Sequence, residues 1–197
     1  MSEIRTVIYA APTEEPVSLS EAKSQLRLDT ASHDTLVSGL IKAARQKLEN
    51  LTGQAFITQT WDAFLDAFPG RPYLALPFPP LQSISGVYYT PDGGSELTYA
   101  SSNYVVDTSR YPGRIVLKYT ANWPGDTLVV AKGVRVRYIC GYGAAATVPQ
   151  PLAQAIQMLV SQWYDSPPTY ESGPVTLVPF SVMSLISDYC MYHSGES

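Results

Sequence analysis

Few residues in this 197-residue chain are placed to do chemistry. The best candidate is Gly141-Tyr142-Gly143-Ala144-Ala145-Ala146, small residues that follow a strand-like run and precede a helix-like one. In that context backbone amides can cradle a pyrophosphate at a helix N-terminus. Here Thr147-Val148-Pro149 separates the last small residue from the helix, so the helix would not point at the phosphates. Pro167-Pro168 then replaces the strand whose acidic end should follow, and a plain turn from strand to helix is the better reading. Metal chemistry has less support, because His33 and His193 share no ligand spacing with Cys140 or Cys190. No glycine-rich loop ends in Lys and Ser or Thr, and no serine sits in a nucleophile elbow. Asp62 and Asp66 are one helical turn apart by count, but they fall in a strand and are expected to face solvent. Arg135 and Arg137 share one strand face, where an acidic neighbour could pair with them; a solvated face is expected. The sequence therefore offers no catalytic, cofactor-binding or metal-binding residue, and no enzyme is expected.

The elements that would hold such residues are better specified than the residues themselves. Ser18 with Glu21 three positions on is a capping box, so a helix should begin at Leu19, with Leu19, Ala22 and Leu26 at helical spacing. Asp34 can cap a second helix, whose Leu36, Val37, Leu40, Ile41, Ala44, Leu48 and Leu51 read as one apolar stripe; Gly53 would end it. From Phe56 the period changes. Ile84–Tyr89 and Glu96–Tyr99 flank Pro91-Asp92-Gly93-Gly94 as a hairpin, and Tyr104–Val106 pairs with Arg114–Leu117. Val134, Val136, Tyr138 and Cys140 alternate with Arg135, Arg137 and Ile139, a half-buried strand. Pro149 opens a third helix through Leu152, Ala155, Ile156, Leu159, Val160 and Trp163, which is uncharged until Asp165.

These elements add up to an α+β fold: an N-terminal helical hairpin and later helices packed together, an inserted small antiparallel β-sheet or barrel, and an extended C-terminal tail. The expected segments are an arm (1–16) with Val7-Ile8-Tyr9 adding a strand to a neighbour, a helical part (17–55), a β-rich insertion (56–147), a core helix (148–165) and a docking tail (166–197). The tail is unusually apolar for a terminus, and its Phe180, Met183, Leu185, Ile186, Tyr189, Met191 and Tyr192 are the expected partner-binding residues.

Composition narrows the partners. A net charge of −4 and a sequence pI near 5.1 argue against gripping a nucleic-acid backbone, which requires clustered Lys and Arg. An acidic protein can still line a path along which DNA slides. No apolar run is long enough for a membrane span, no signal peptide opens the chain, and two cysteines make no disulfide framework. A soluble protein made inside the cell is expected. Its 14 tyrosines suit either strands or interfaces.

Taken in order, several pieces resemble the head–tail connector (adaptor) proteins of long-tailed phages and gene transfer agents. They are Glu15–Lys23, the helix ending Leu51-Thr52-Gly53, Ile57–Trp61, Leu76–Ile84, Asn122-Trp123-Pro124, Val134-Arg135-Val136, Gly141-Tyr142-Gly143 and Val148-Pro149. Together they span roughly residues 15–165. The chain departs from the family pattern at its end, where Tyr164-Asp165 meets Ser166-Pro167-Pro168 instead of a charged stretch. The resemblance implies a structural virion protein without cofactors: a ring of roughly a dozen copies under cyclic symmetry. Its implied partners are the portal protein above, a head-closure or tail-completion protein below, and its own copies, with DNA passing through the channel unbound. The alternatives are another neck component, such as a head-closure or tail-completion protein itself, or a cofactor-binding domain using the Gly141 loop.

Overall fold

The computed structural model of the chain describes residues 4–165 and 178–190. It divides into a sheet unit, drawn from Met1–Pro12 and Thr58–Tyr142, and a helical unit, drawn from Thr13–Ile57 and Gly143–Ser197. The fold is α+β, with every strand pair antiparallel.

In the sheet unit the strands are β1 (Arg5–Ala10), β2 (Gln59–Leu65), β3 (Tyr73–Ala75), β4 (Leu81–Tyr89), β5 (Leu97–Tyr99), β6 (Tyr104–Asp107), β7 (Arg114–Leu117) and β8 (Val134–Cys140). They form a five-stranded sheet in the order β1-β2-β8-β4-β5 and a three-stranded sheet in the order β3-β7-β6. The expected hairpin is present, with Val87 opposite Tyr99 and Tyr89 opposite Leu97. The alternation along β8 is also present: Val134, Val136, Tyr138 and Cys140 are fully buried. Val7-Ile8-Tyr9 differs from expectation. It pairs with β2 of its own chain, Arg5 opposite Phe64 and Ile8 opposite Trp61, so the N-terminal segment is an edge strand of this sheet. Half-buried aromatic side chains also pack together: Phe68 stacks on Trp123 with ring centres 5.0 Å apart, and the Trp123 indole donates to the Arg71 carbonyl at 2.9 Å. Tyr99, Tyr104 and Tyr138 are buried, while Tyr9, Tyr111 and Tyr119 are exposed.

The helical unit contains α1 (Leu19–Leu26), α2 (Asp34–Thr52), α3 (Gln150–Asp165) and α4 (Phe180–Ile186). The capping box forms: the Glu21 amide donates to Ser18 Oγ at 3.2 Å and the Ser18 amide donates to Glu21 Oε2 at 2.7 Å. Gly53 ends α2 in the left-handed region (φ 69°), donating its N–H to the Glu49 carbonyl at 2.9 Å, a conformation cheap only for glycine. Asp34 does not cap α2. A single 3-10 turn at Ala31–His33 precedes it, so Asp34 is already helical and its carboxylate accepts from Lys23 Nζ at 2.6 Å instead. The broad apolar stripe read along α2 divides in two. Val37, Ile41, Ala44 and Leu48 are buried, whereas Leu36 and Leu51 are exposed and Leu40 is half-buried. α2 and α4 both pack against α3, whose Leu152, Ala155, Ile156, Leu159 and Val160 are buried. Each such Leu or Ile contributes about 1.5–3 kcal/mol, enough to hold helices this short where propensity alone would not. The described part of the tail is helical, not extended: α4 leads directly into a 3-10 turn at Ser187–Tyr189.

Candidate functional site

The residues singled out in the tail part ways in the structure. Val182 and Ile186, four positions apart on α4, are fully buried within the helical unit. Ile186 is therefore core, not a free partner contact. On the opposite face Phe180 is 89% exposed and Met183 37% exposed. Leu185 and Tyr189 are half-buried, and the Tyr189 carbonyl accepts from Gln54 Nε2 at 2.7 Å, which ties the segment to the end of α2. Met191 and Tyr192 lie outside the described residues.

A second apolar surface runs along α2. Leu36, Leu40 and Ala43 follow one another at helical spacing, and the row continues into Lys47 and Leu51. Leu36 is 53% exposed, and Gly39 lies beside the row with nothing within 4 Å of where a Cβ would stand.

Charged groups are organised into two networks, one in each unit. In the helical unit Arg45 is buried; its Nε donates to Glu15 Oε2 at 2.6 Å and its Nη1 to Glu49 Oε2. The other oxygen of Glu49 accepts from the Phe56 amide at 2.8 Å. Burial disfavours the Arg45 charge, but the Glu15 hydrogen bond and both carboxylates outweigh it and raise the pKa above the ordinary arginine value. In the sheet unit Asp62 is buried, contrary to its expected exposure. Arg137 grips it with both prongs, Nε to Oδ1 and Nη2 to Oδ2 at 2.8 Å each. Arg135 takes Glu96 in the same way and reaches Asp62 at 3.6 Å. Tyr9 covers the Arg137 guanidinium at 3.3 Å and Tyr88 that of Arg135 at 4.1 Å. The hydrogen bond from Arg135 holds Glu96 below the usual carboxylate range, and that to Asp62 raises Arg137. Sequence spacing put the two arginines on one face; only the pairing of β2 with β8, which sets Asp62 opposite Arg137, could supply their partner.

The glycine run is a structural turn. In the sheet unit the Gly141 amide donates to the Pro80 carbonyl at 2.9 Å, and the Gly141 carbonyl accepts from Gln82 Nε2 at 2.8 Å. In the helical unit Gly143 has φ 127° and the Ala145 amide donates to Glu14 Oε1 at 3.1 Å. A carboxylate thus occupies an amide that a phosphate would need. A cavity of about 610 Å³ in the helical unit is lined by Glu14, Glu15, Glu21, Ser38, Gln150 and Gln157, and all three carboxylates are engaged in the bonds described above. Among the described residues no three His, Cys, Asp or Glu side chains cluster as a metal site, and no helix is long and apolar enough to cross a membrane.

The chain is similar to known proteins in sequence and in fold. Residues 16–87 match the model of the phage gp6-like head–tail connector protein family. The head–tail connector resemblance holds. The connector segment covers over a third of the chain and takes in α1, α2, β2 and β3, ending within β4. The rest is similar in fold. A chain in the neck of an empty gene transfer agent particle, described with C6 symmetry, is 22% identical, with 98% of each chain covered and a TM-score of 0.80. A chain of the native gene transfer agent virion is 20% identical over 98% of each chain, with a TM-score of 0.79. A third, in the native neck described with C12 symmetry, is 22% identical over 97% of this chain and 98% of that one, with a TM-score of 0.72. No curated protein matches the chain. Outside residues 16–87 the likeness to these neck and virion chains is one of fold alone.

Proposed function

We propose that this protein is a structural head–tail connector of a tailed phage or phage-like particle. About twelve copies form a closed head-to-tail ring in the neck, beneath the portal protein and above a head-closure or tail-completion protein. DNA passes through the ring without specific contacts, an acidic lumen repelling its phosphates, and the protein is not an enzyme. One observation carries the reading: the connector match at residues 16–87 continues, in fold, over 98% of a neck protein of the same length. The exposed apolar surfaces on α2 and α4 support it, because a protein that works in a ring leaves such faces for its neighbours.

The apolar tail from Val175 docks on the portal or a neighbouring copy. Because Val182 and Ile186 are core residues, deleting the tail would also unpack the helical unit; replacing Phe180 and Met183 by serine is the cleaner probe. Light scattering of the purified protein, alone and mixed with its portal, tests the function. A closed assembly of about twelve copies in either condition is expected, and a chain that stays monomeric with the portal present overturns the reading.

A further inference from the structure

Gly39 sits in the middle of α2, where glycine weakens a helix relative to alanine, yet nothing inside the protein asks for it. Its φ is not positive, and an added Cβ would meet nothing within 4 Å. It leaves a gap without a side chain beside the row Leu36, Leu40 and Ala43. The same unit carries a projecting ring in Phe180, with Met183 one turn further on the same face of α4. The charges around the two surfaces are opposite. Lys47 ends the α2 row with Lys42 to one side, and neither makes an ion pair among the described residues. From Tyr138 to the C-terminus the chain has no Lys or Arg, and the described acids there are Asp165 and Asp188, both exposed.

We infer that the notch on α2 of one copy receives Phe180 and Met183 of the next copy in the ring, with Asp188 set against Lys47. The two surfaces differ and lie on different helices, so the contact is heterologous and repeats from copy to copy around the ring. A contact of α2 with α2 would set Lys47 beside Lys47, and one between two copies of α4 and the 3-10 turn after it would set Asp188 beside Asp188, so both are disfavoured. The inference rests on the connector reading but selects a neighbouring copy, not the portal, as the occupant.

The test is assembly with the portal, followed by light scattering, for the wild type and for Gly39→Trp, Phe180→Ser, Asp188→Lys and Lys47→Glu. Each single variant should fold like the wild type by circular dichroism and require about tenfold more protein to assemble, and joining Asp188→Lys to Lys47→Glu should restore much of the loss. In a Cys190→Ser background, Phe180→Cys with Ala43→Cys should give a disulfide-linked ladder of copies under oxidation that neither single cysteine gives. Rings that form normally in Gly39→Trp, with no ladder from the cysteine pair, overturn this contact and leave the connector function standing. A wild type that never assembles overturns both.

Discussion

The two units handle charge in opposite ways. The helical unit hides one arginine between two glutamates and leaves leucines, a glycine notch and a phenylalanine in solvent. The sheet unit lays Arg135, Arg137, Asp62 and Glu96 across a partly exposed face, roofed by Tyr9 and Tyr88, and it too leaves apolar side chains in solvent, Val7, Ile8, Leu97, Val105 and Val130 among them. A buried ion pair is costly to desolvate and costlier to break than a partly exposed one. The contrast is therefore one of depth: the helical unit encloses its arginine, the sheet unit leaves its ions within reach of water, and both present apolar side chains to solvent.

Breaking the buried network should have the largest effect. Arg45→Ala strands two carboxylates and should lower stability by about 3–5 kcal/mol in urea unfolding, whereas replacing Arg45, Glu15 and Glu49 together by Met, Gln and Gln should recover much of the loss. A triple variant as unstable as the single one would show that packing, not charge, governs the site. Asp62→Ala removes a carboxylate held by two guanidinium prongs and should cost about 1.5–3 kcal/mol; an effect as large as that of Arg45→Ala would erase the contrast. Ser18→Ala undoes the capping box for about 1 kcal/mol, read by thermal melting. Gly39→Ala should raise monomer stability by about 0.5–1 kcal/mol, since only a neighbour has use for the notch. The smallest effect is on acid stability. Glu96 has a folded-state pKa below its ordinary value because of Arg135, so its contribution is present above the ordinary glutamate pKa and fades as pH falls through the folded one. Glu96→Gln should flatten that part of the acid-unfolding curve, and added salt should shrink the difference, because Glu96 is well exposed to solvent.

What the sequence revealed was local. The capping box at Ser18, the cap at Gly53, the Gly93 hairpin and the alternation of β8 each depend on neighbours within a few residues, and each is present. What it concealed depended on distant pairing. Asp62 and Arg137 meet only because β2 lies beside β8, and Val7-Ile8-Tyr9 finds its partner strand more than fifty residues further along. The width of the α2 stripe misled for a similar reason: periodicity says which residues could be buried, and the position of α3 decides that Val37 is and Leu36 is not. Asp34 looked like a cap because its residue type favours one, but the preceding 3-10 turn had already begun the helix and Lys23 took the carboxylate. The exposed half of the tail was legible from composition, but Ile186 was not, because an apolar residue near a terminus reads the same whether its partner is its own core or another chain.

The position of β8 in the five-stranded sheet has a consequence for how the protein is born. Among the described residues it is the last strand made, and it lies between β2 and β4. On the ribosome β1 and β2 can pair early and β4 and β5 can close their hairpin, but both pieces present raw edges until residue 140 has emerged. At ordinary translation rates of about 5–20 residues per second, that interval lasts on the order of ten seconds. During it the nascent chain depends on chaperones or on speed, and a translational pause between Leu65 and Val134 would lengthen its exposure to aggregation more than a pause anywhere else in the message.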